Sequence, residues 1–167
     1  VLMIQGLYQY QPPLPFTPGG ESAGVISEVG EGVTKFKVGD KVFAMTGVGA
    51  FAEKILAAEA SCMAIPDSMD YDSAAALSMV YGTSLYALKQ RANIQPGETL
   101  LVLGASGGVG LATIELGKAM GAKVIAAAST QDKIDICMAH GADEGFIYPT
   151  GNLDRDQQKQ LSNKIKE

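Results

Sequence analysis

The residues best suited to do chemistry lie in one short run, Leu103-Gly104-Ala105-Ser106-Gly107-Gly108-Val109-Gly110. Read from Ala105 the spacing is A-x-G-x-x-G. Gly107 stands where a missing side chain lets backbone approach a pyrophosphate, and Gly110 where it lets a helix lie tight on a strand. An apolar run at 99–103 precedes the loop and an amphipathic run follows it, and that strand–loop–helix context separates a ligand loop from a plain Gly-rich turn. The free N–H groups and positive dipole end of such a helix attract phosphate. Ala127-Ala128-Ser129-Thr130 ends the next apolar run with no acid at its tip, whereas a bare ribose diol calls for Asp or Glu there. Asp132 lies beyond the tip, and Lys133 follows it. Small hydroxyls plus a cation suit a 2′-phosphate, so NADPH is the cofactor expected, rather than NADH. The alternative is a solvated Lys133 and a Ser129 that only caps a helix.

Elements that could position these residues follow from periodicity. Beyond residue 99 the order reads β-α-β-α-β, with strands at 99–103, 123–128 and 146–148 and helices after the glycine loop and over 131–140. This order implies a parallel sheet. Val109, Ala112, Thr113, Leu116 and Met120 fall on one face of the first helix, expected to meet the sheet. Upstream, Asp70 or Asp72 can cap a helix through residues 74–77, and a second helical run spans 83–91, stopped by Pro96-Gly97. The part before Pro66 is different. Pro12, Pro13, Pro15 and Pro18 hold it extended, and strands are expected at 25–29, 41–45 and 51–57, a pattern of small barrels or sandwiches. The tail after Thr150 is polar, with weak helical character.

Composition narrows the function classes. The chain has 167 residues, 47% hydrophobic and 19% charged, with net charge −5, a globular composition without the basic stripe that nucleic acid requires. No apolar run approaches the roughly 20 residues that span a bilayer. Residues 1–5 lack a signal-peptide pattern, and cytoplasmic localisation is expected. There is no initiator Met and the chain opens inside an apolar segment, so it is expected to begin within a longer protein. Cys62 and Cys137 form no metal or disulfide pattern and read as small buried apolar residues. The only histidine, His140, falls at a helix C-terminus, where dipole compensation or solvation accounts for it. With so few soft ligands, no metal site is expected.

Several stretches together resemble the quinone oxidoreductase branch of the zinc-free medium-chain dehydrogenase/reductase superfamily: Pro15-Phe16-Thr17-Pro18-Gly19-Gly20-Glu21, Gly39-Asp40-Lys41-Val42, Ala74-Ala75-Ala76, Tyr81-Gly82-Thr83, Pro96-Gly97-Glu98-Thr99 and the loop at 104–110. The resemblance covers nearly everything to about residue 150. It implies an α/β fold, with a partial GroES-like β-barrel domain over 1–68, then bridging helices and the first half of a Rossmann domain over 69–167. It also implies hydride transfer from NADPH to a quinone or conjugated carbonyl in a cleft between the domains, and a homodimeric parent enzyme. Carried over, Thr83 contacts the nicotinamide, and Ala105, Ser106, Gly107, Gly108, Val109 and Gly110 form the pyrophosphate loop. Ser129, Thr130, Lys133 and Tyr148 hold the 2′-phosphate and its ribose. Tyr8, Tyr10 and Tyr81 are candidates for packing the ring or donating to substrate oxygen, against the plainer role of core or rim aromatics. Zinc-dependent relatives carry Gly-His-Glu where this chain has Gly20-Glu21. Relative to the family, an upstream Asn-containing segment, the first barrel strands and the later Rossmann strands are absent. Related readings are an enal, enone or enoyl-thioester reductase, and a nucleotide-binding module without catalysis.

Overall fold

A computed structural model describes residues 1–166, which form two compact units, one over Val1–Met79 and one from Val80 onward. The first is built on an antiparallel sheet of β1 (Glu21–Val25), β2 (Lys41–Met45) and β3 (Cys62–Ala64), in that order. Its buried residues are few: Val42, Phe43 and Ala44 on β2, and Ala74 on the helix that follows.

Strand placement here departs from expectation. Pairing runs from Glu21 opposite Met45 to Val25 opposite Lys41. Beyond it the partner strand dissolves into the Gly39-Asp40 turn, where Gly39 has φ +92°, so residues 27–29 find no ladder to join. Residues 51–57 form no strand. Phe51 and Leu56 there are 74% and 98% exposed, and the free side of β2 is taken by β3 instead. Strand β3 is only three residues long, too short to show an alternation.

Helix α1 (Tyr71–Leu85) starts where Asp70 caps it, its carboxylate accepting hydrogen bonds from the Ser73 N–H (2.7 Å) and hydroxyl (2.8 Å). Both contacts hold the Asp70 carboxyl below its ordinary pKa. The two helices expected over 74–91 are one continuous run, because α1 passes into a π-helical turn, Tyr86–Arg91, with Ala92 N–H donating to the Ala87 carbonyl at 2.8 Å.

The second unit carries a parallel sheet of β4 (Thr99–Leu103), β5 (Lys123–Ala128) and β6 (Glu144–Ile147), with α2 (Gly108–Ala119) and α3 (Gln131–Ala139) as crossovers. Apolar residues of β5 are buried on both faces, as a parallel strand under helices must be. Val124, Ala126 and Ala127 are fully buried, and Ile114 and Cys137 share one core cluster with Val124 and Ala126. Full burial of Ile114 alone stabilises by about 1.5–3 kcal/mol.

The buried residues of α2 are Gly110, Ala112, Ile114 and Gly117; of the expected stripe only Ala112 is fully buried, while Val109 is 44% exposed. Glycine explains the rotation. A Cβ at Gly110 would lie 2.5 Å from the Ala105 carbonyl oxygen, and one at Gly117 2.7 Å from Leu100. The helix therefore meets the sheet along Gly110, Ile114 and Gly117, a face whose two glycines a count of bulky apolar side chains overlooks. Helix α4 (Arg155–Lys166) ends the described chain, with Lys164 Nζ 4.8 Å from the centre of the Phe146 ring. Among the described residues no helix is long and apolar enough to cross a membrane.

Candidate nucleotide site

Backbone pairing brings the glycine loop and the ends of β5 and β6 to one end of the parallel sheet. Strand β4 leads into Gly104 (φ +63°), and the Ala105 N–H donates to the Ala127 carbonyl at 3.1 Å, tying the loop to the end of β5. Gly107 closes a tight turn on the Gly104 carbonyl (3.1 Å) and is the N-cap of α2. The first helical bond is Leu111 N–H to the Gly107 carbonyl, so the N–H groups of Gly108, Val109 and Gly110 open the helix, with no capping side chain to satisfy them. Residues 107–109 are exposed and Ser106 is half-buried.

The fit of this loop to a pyrophosphate can be tested residue by residue. Gly107 has an ordinary backbone (φ −80°), and a Cβ there would meet nothing nearer than the Gly104 carbonyl oxygen at 3.6 Å. Internal packing thus does not require glycine at 107; the room its side chain would fill lies beside unused N–H groups. Gly110 and Gly108 differ, because neighbouring atoms of the protein already occupy that room. A Cβ on Gly108 would come to 3.1 Å from Val80.

At the adjoining strand end, Thr130 is the extended N-cap of α3, and Lys133 Nζ donates to Ser129 Oγ at 3.0 Å. The Tyr148 N–H donates to the Ala128 carbonyl at 3.0 Å, which places the half-buried Tyr148 beside Ser129. A hydroxyl and an ammonium therefore meet at this strand end, with the Tyr148 backbone beside them. Loop and strand end are neighbours, since Leu103 pairs with Ala127.

Thr83 is exposed near the end of α1, next to buried Ser84. Tyr81 is engaged elsewhere: its hydroxyl donates to a Glu115 carboxylate oxygen, and the other oxygen meets His140 Nδ1 at 2.6 Å. The Tyr81 hydroxyl, then His140, hold the Glu115 carboxyl below its ordinary range; the same bond, with burial and the carboxylate charge, pushes Tyr81 up. Sequence reading missed Ser84, Thr113 and Glu115. The one available signal was Glu115, the one acid of α2, in mid-helix and three residues before Lys118. Among the described residues no group of three or more His, Cys, Asp or Glu is placed to hold a metal ion. A cavity of about 370 Å³ in the first unit, lined in part by Val25, Phe36 and Val42, includes none of the expected site residues.

Comparison with known proteins gives the family. The alcohol dehydrogenase GroES-like domain family matches residues 1–67. Quinone oxidoreductase-like protein 2 of Rattus norvegicus is 42% identical over 161 residues, covering 96% of this chain and 46% of that protein. Escherichia coli quinone oxidoreductase, solved in complex with NADPH, superposes with TM-score 0.81 at 32% identity, over 97% of this chain and 49% of the other. The CurK enoyl reductase does so with TM-score 0.78 at 28% identity, over 99% and 49%. The chain thus spans about half the length of the relatives it matches. Its antiparallel part is GroES-like and its parallel part Rossmann-like, and the chain belongs to the quinone oxidoreductase branch of the medium-chain dehydrogenase/reductase superfamily.

Proposed function

We propose that this chain forms the nucleotide-holding part of a zinc-independent reductase that uses NADPH to reduce a quinone or a conjugated carbonyl. The observation that carries the reading is the pairing of an open, uncapped helix start at 107–110 with the Lys133–Ser129 contact at the neighbouring strand end. The first suits a diphosphate and the second an additional phosphate on the ribose. When bound, the nicotinamide supplies the hydride.

The chain's own residues have simpler tasks. Open backbone N–H groups at the start of α2, those of Gly108 and Val109 among them, hold the diphosphate beside Ser106 and Gly107, while Lys133, Ser129, Thr130 and Tyr148 hold the ribose phosphate. Thr83 orients the nicotinamide end. Tyr81, with its hydroxyl given to Glu115, braces α1 and leaves the contact with the reacting ring to Thr83. Residues 1–68 form the catalytic-domain side and 69–167 the nucleotide side of the whole protein, taken to be a cytoplasmic homodimer. Zinc independence is supported by the donor set: the chain has one histidine, and it is bound to Glu115.

Likeness to the CurK enoyl reductase favours a second reading, reduction of an enal, enone or enoyl thioester on the same scaffold. Loss of reduced-nicotinamide absorbance with a benzoquinone, an alkenal and an enoyl thioester as acceptors separates the two. Fastest turnover with the benzoquinone is expected, and a clear preference for the thioester transfers the assignment. Nucleotide binding with no turnover of any acceptor makes the chain a binding module.

A further inference from the structure

The turn of α1 that carries Thr83 is tied to the glycine loop by a polar cluster to which no role has been assigned. Ser84 is the buried polar residue of the described chain, 1% exposed. Its Oγ lies 3.1 Å from the Val109 carbonyl oxygen and 3.0 Å from Thr113 Oγ1, which lies 2.7 Å from that same carbonyl. Two hydroxyl protons shared over these separations close a small ring on the carbonyl of the second residue of α2. One turn earlier on the same side of α1, Val80 fills the space above Gly108 that a Cβ would enter at 3.1 Å. Residues four apart in a helix share a face, so Val80 and Ser84 together seat the end of α1 on Gly108 and Val109.

Thr83 is the neighbour of Ser84 and is exposed. Adjacent helical residues keep a fixed angular offset, so seating Ser84 sets the direction of Thr83 relative to the start of α2. We infer that Ser84 is a positioning residue for the nicotinamide end of the bound nucleotide, acting through Thr83 and braced by Thr113. This rests on the nucleotide reading above. An alanine at 84 leaves the Val109 carbonyl a partner in Thr113, so it loosens the tie between the helices without stranding a buried acceptor.

The test is a thermodynamic cycle on the full chain. NADPH, and a 2′-phosphorylated adenosine nucleotide that lacks nicotinamide, are titrated into wild type, Thr83→Ala, Ser84→Ala and the double variant. Ser84→Ala should weaken NADPH about three- to tenfold, the scale of one hydrogen bond. It should leave the adenosine nucleotide unchanged, and the double variant should be no weaker than the worse single one. Thr113→Val, nearly isosteric, should show the same selectivity with a smaller loss, and it decides the matter should Ser84→Ala not fold. NADPH affinity unchanged by the Ser84 and Thr113 substitutions, equal losses for both ligands, or losses that multiply in the double variant overturn the inference. A wild-type chain that binds neither ligand overturns the nucleotide reading and this inference together.

Discussion

The two units differ in whether glycine packs inside their strands and helices. In the antiparallel unit Gly32, Gly39, Gly47 and Gly49 have positive φ and nothing within 4 Å of where a Cβ would be, so they turn the chain. In the parallel unit Gly110, Gly117 and Gly145 sit in regular elements, where a Cβ would come within 2.5–2.7 Å of a neighbour, so they set how closely layers pack. The buried residues follow the same division. The first unit buries mainly β2, whereas the second has a continuous core from Val102 to Ala142. A loop that must present N–H groups at fixed positions needs a rigid base, and the contact glycines provide it.

Substitutions can break this contrast, beginning with the largest effect. Gly110→Val drives a side chain into the Ala105 backbone, which cannot move without parting α2 from β4. Cooperative chemical unfolding of the second unit should be lost, and so should nucleotide binding. A variant with wild-type stability contradicts the contact role. Phe43→Ala, on the thin core of the first unit, should cost about 3 kcal/mol, with amide-exchange protection of β5 retained. Loss of protection in both sheets would show that the two units do not unfold separately.

Lys133→Ala sharpens the cofactor side. NADPH affinity should fall about ten- to a hundredfold, as for a charge-assisted hydrogen bond, with NADH nearly unchanged. Equal losses for both nucleotides remove Lys133 from the site. The smallest effect belongs to Glu115, whose folded pKa is lowered by Tyr81 and then His140. A lowered carboxyl stabilises the fold above its ordinary value, and that contribution fades as pH falls through the lowered one. Glu115→Gln should therefore cost stability at neutral pH, with the difference from wild type shrinking below the ordinary glutamate range. A difference constant with pH across the acid limb contradicts the Tyr81–Glu115–His140 linkage.

The same contrast decides what could be read from sequence. Strands β4 and β5 and helix α3 lie where their local patterns place them, because the strands are unbroken apolar runs next to Gly104 or Gly121 and the helix is stopped by Gly141. The loop at 104–110 was legible because its chemistry is local. Strands at 25–29 and 51–57 were misplaced because pairing, not pattern, selects short strands: β2 had two sides, and residues 21–25 and 62–64 took them. The rotation of α2 was hidden for a related reason, since two of the residues on its contact face, Gly110 and Gly117, are glycines. Ser84, Thr113 and Glu115 carried no motif; contacts between distant residues give them their place.

Calorimetric titration of NADPH into wild type and Gly107→Val tests the central claim most directly. The substitution suits the backbone at 107 and meets no close neighbour at its Cβ, so the variant should stay folded, less stable by about 1 kcal/mol as for an apolar N-cap. An open phosphate-binding helix start predicts saturable heat with wild type and none with the variant. No heat with wild type, or equal heat with both, contradicts it.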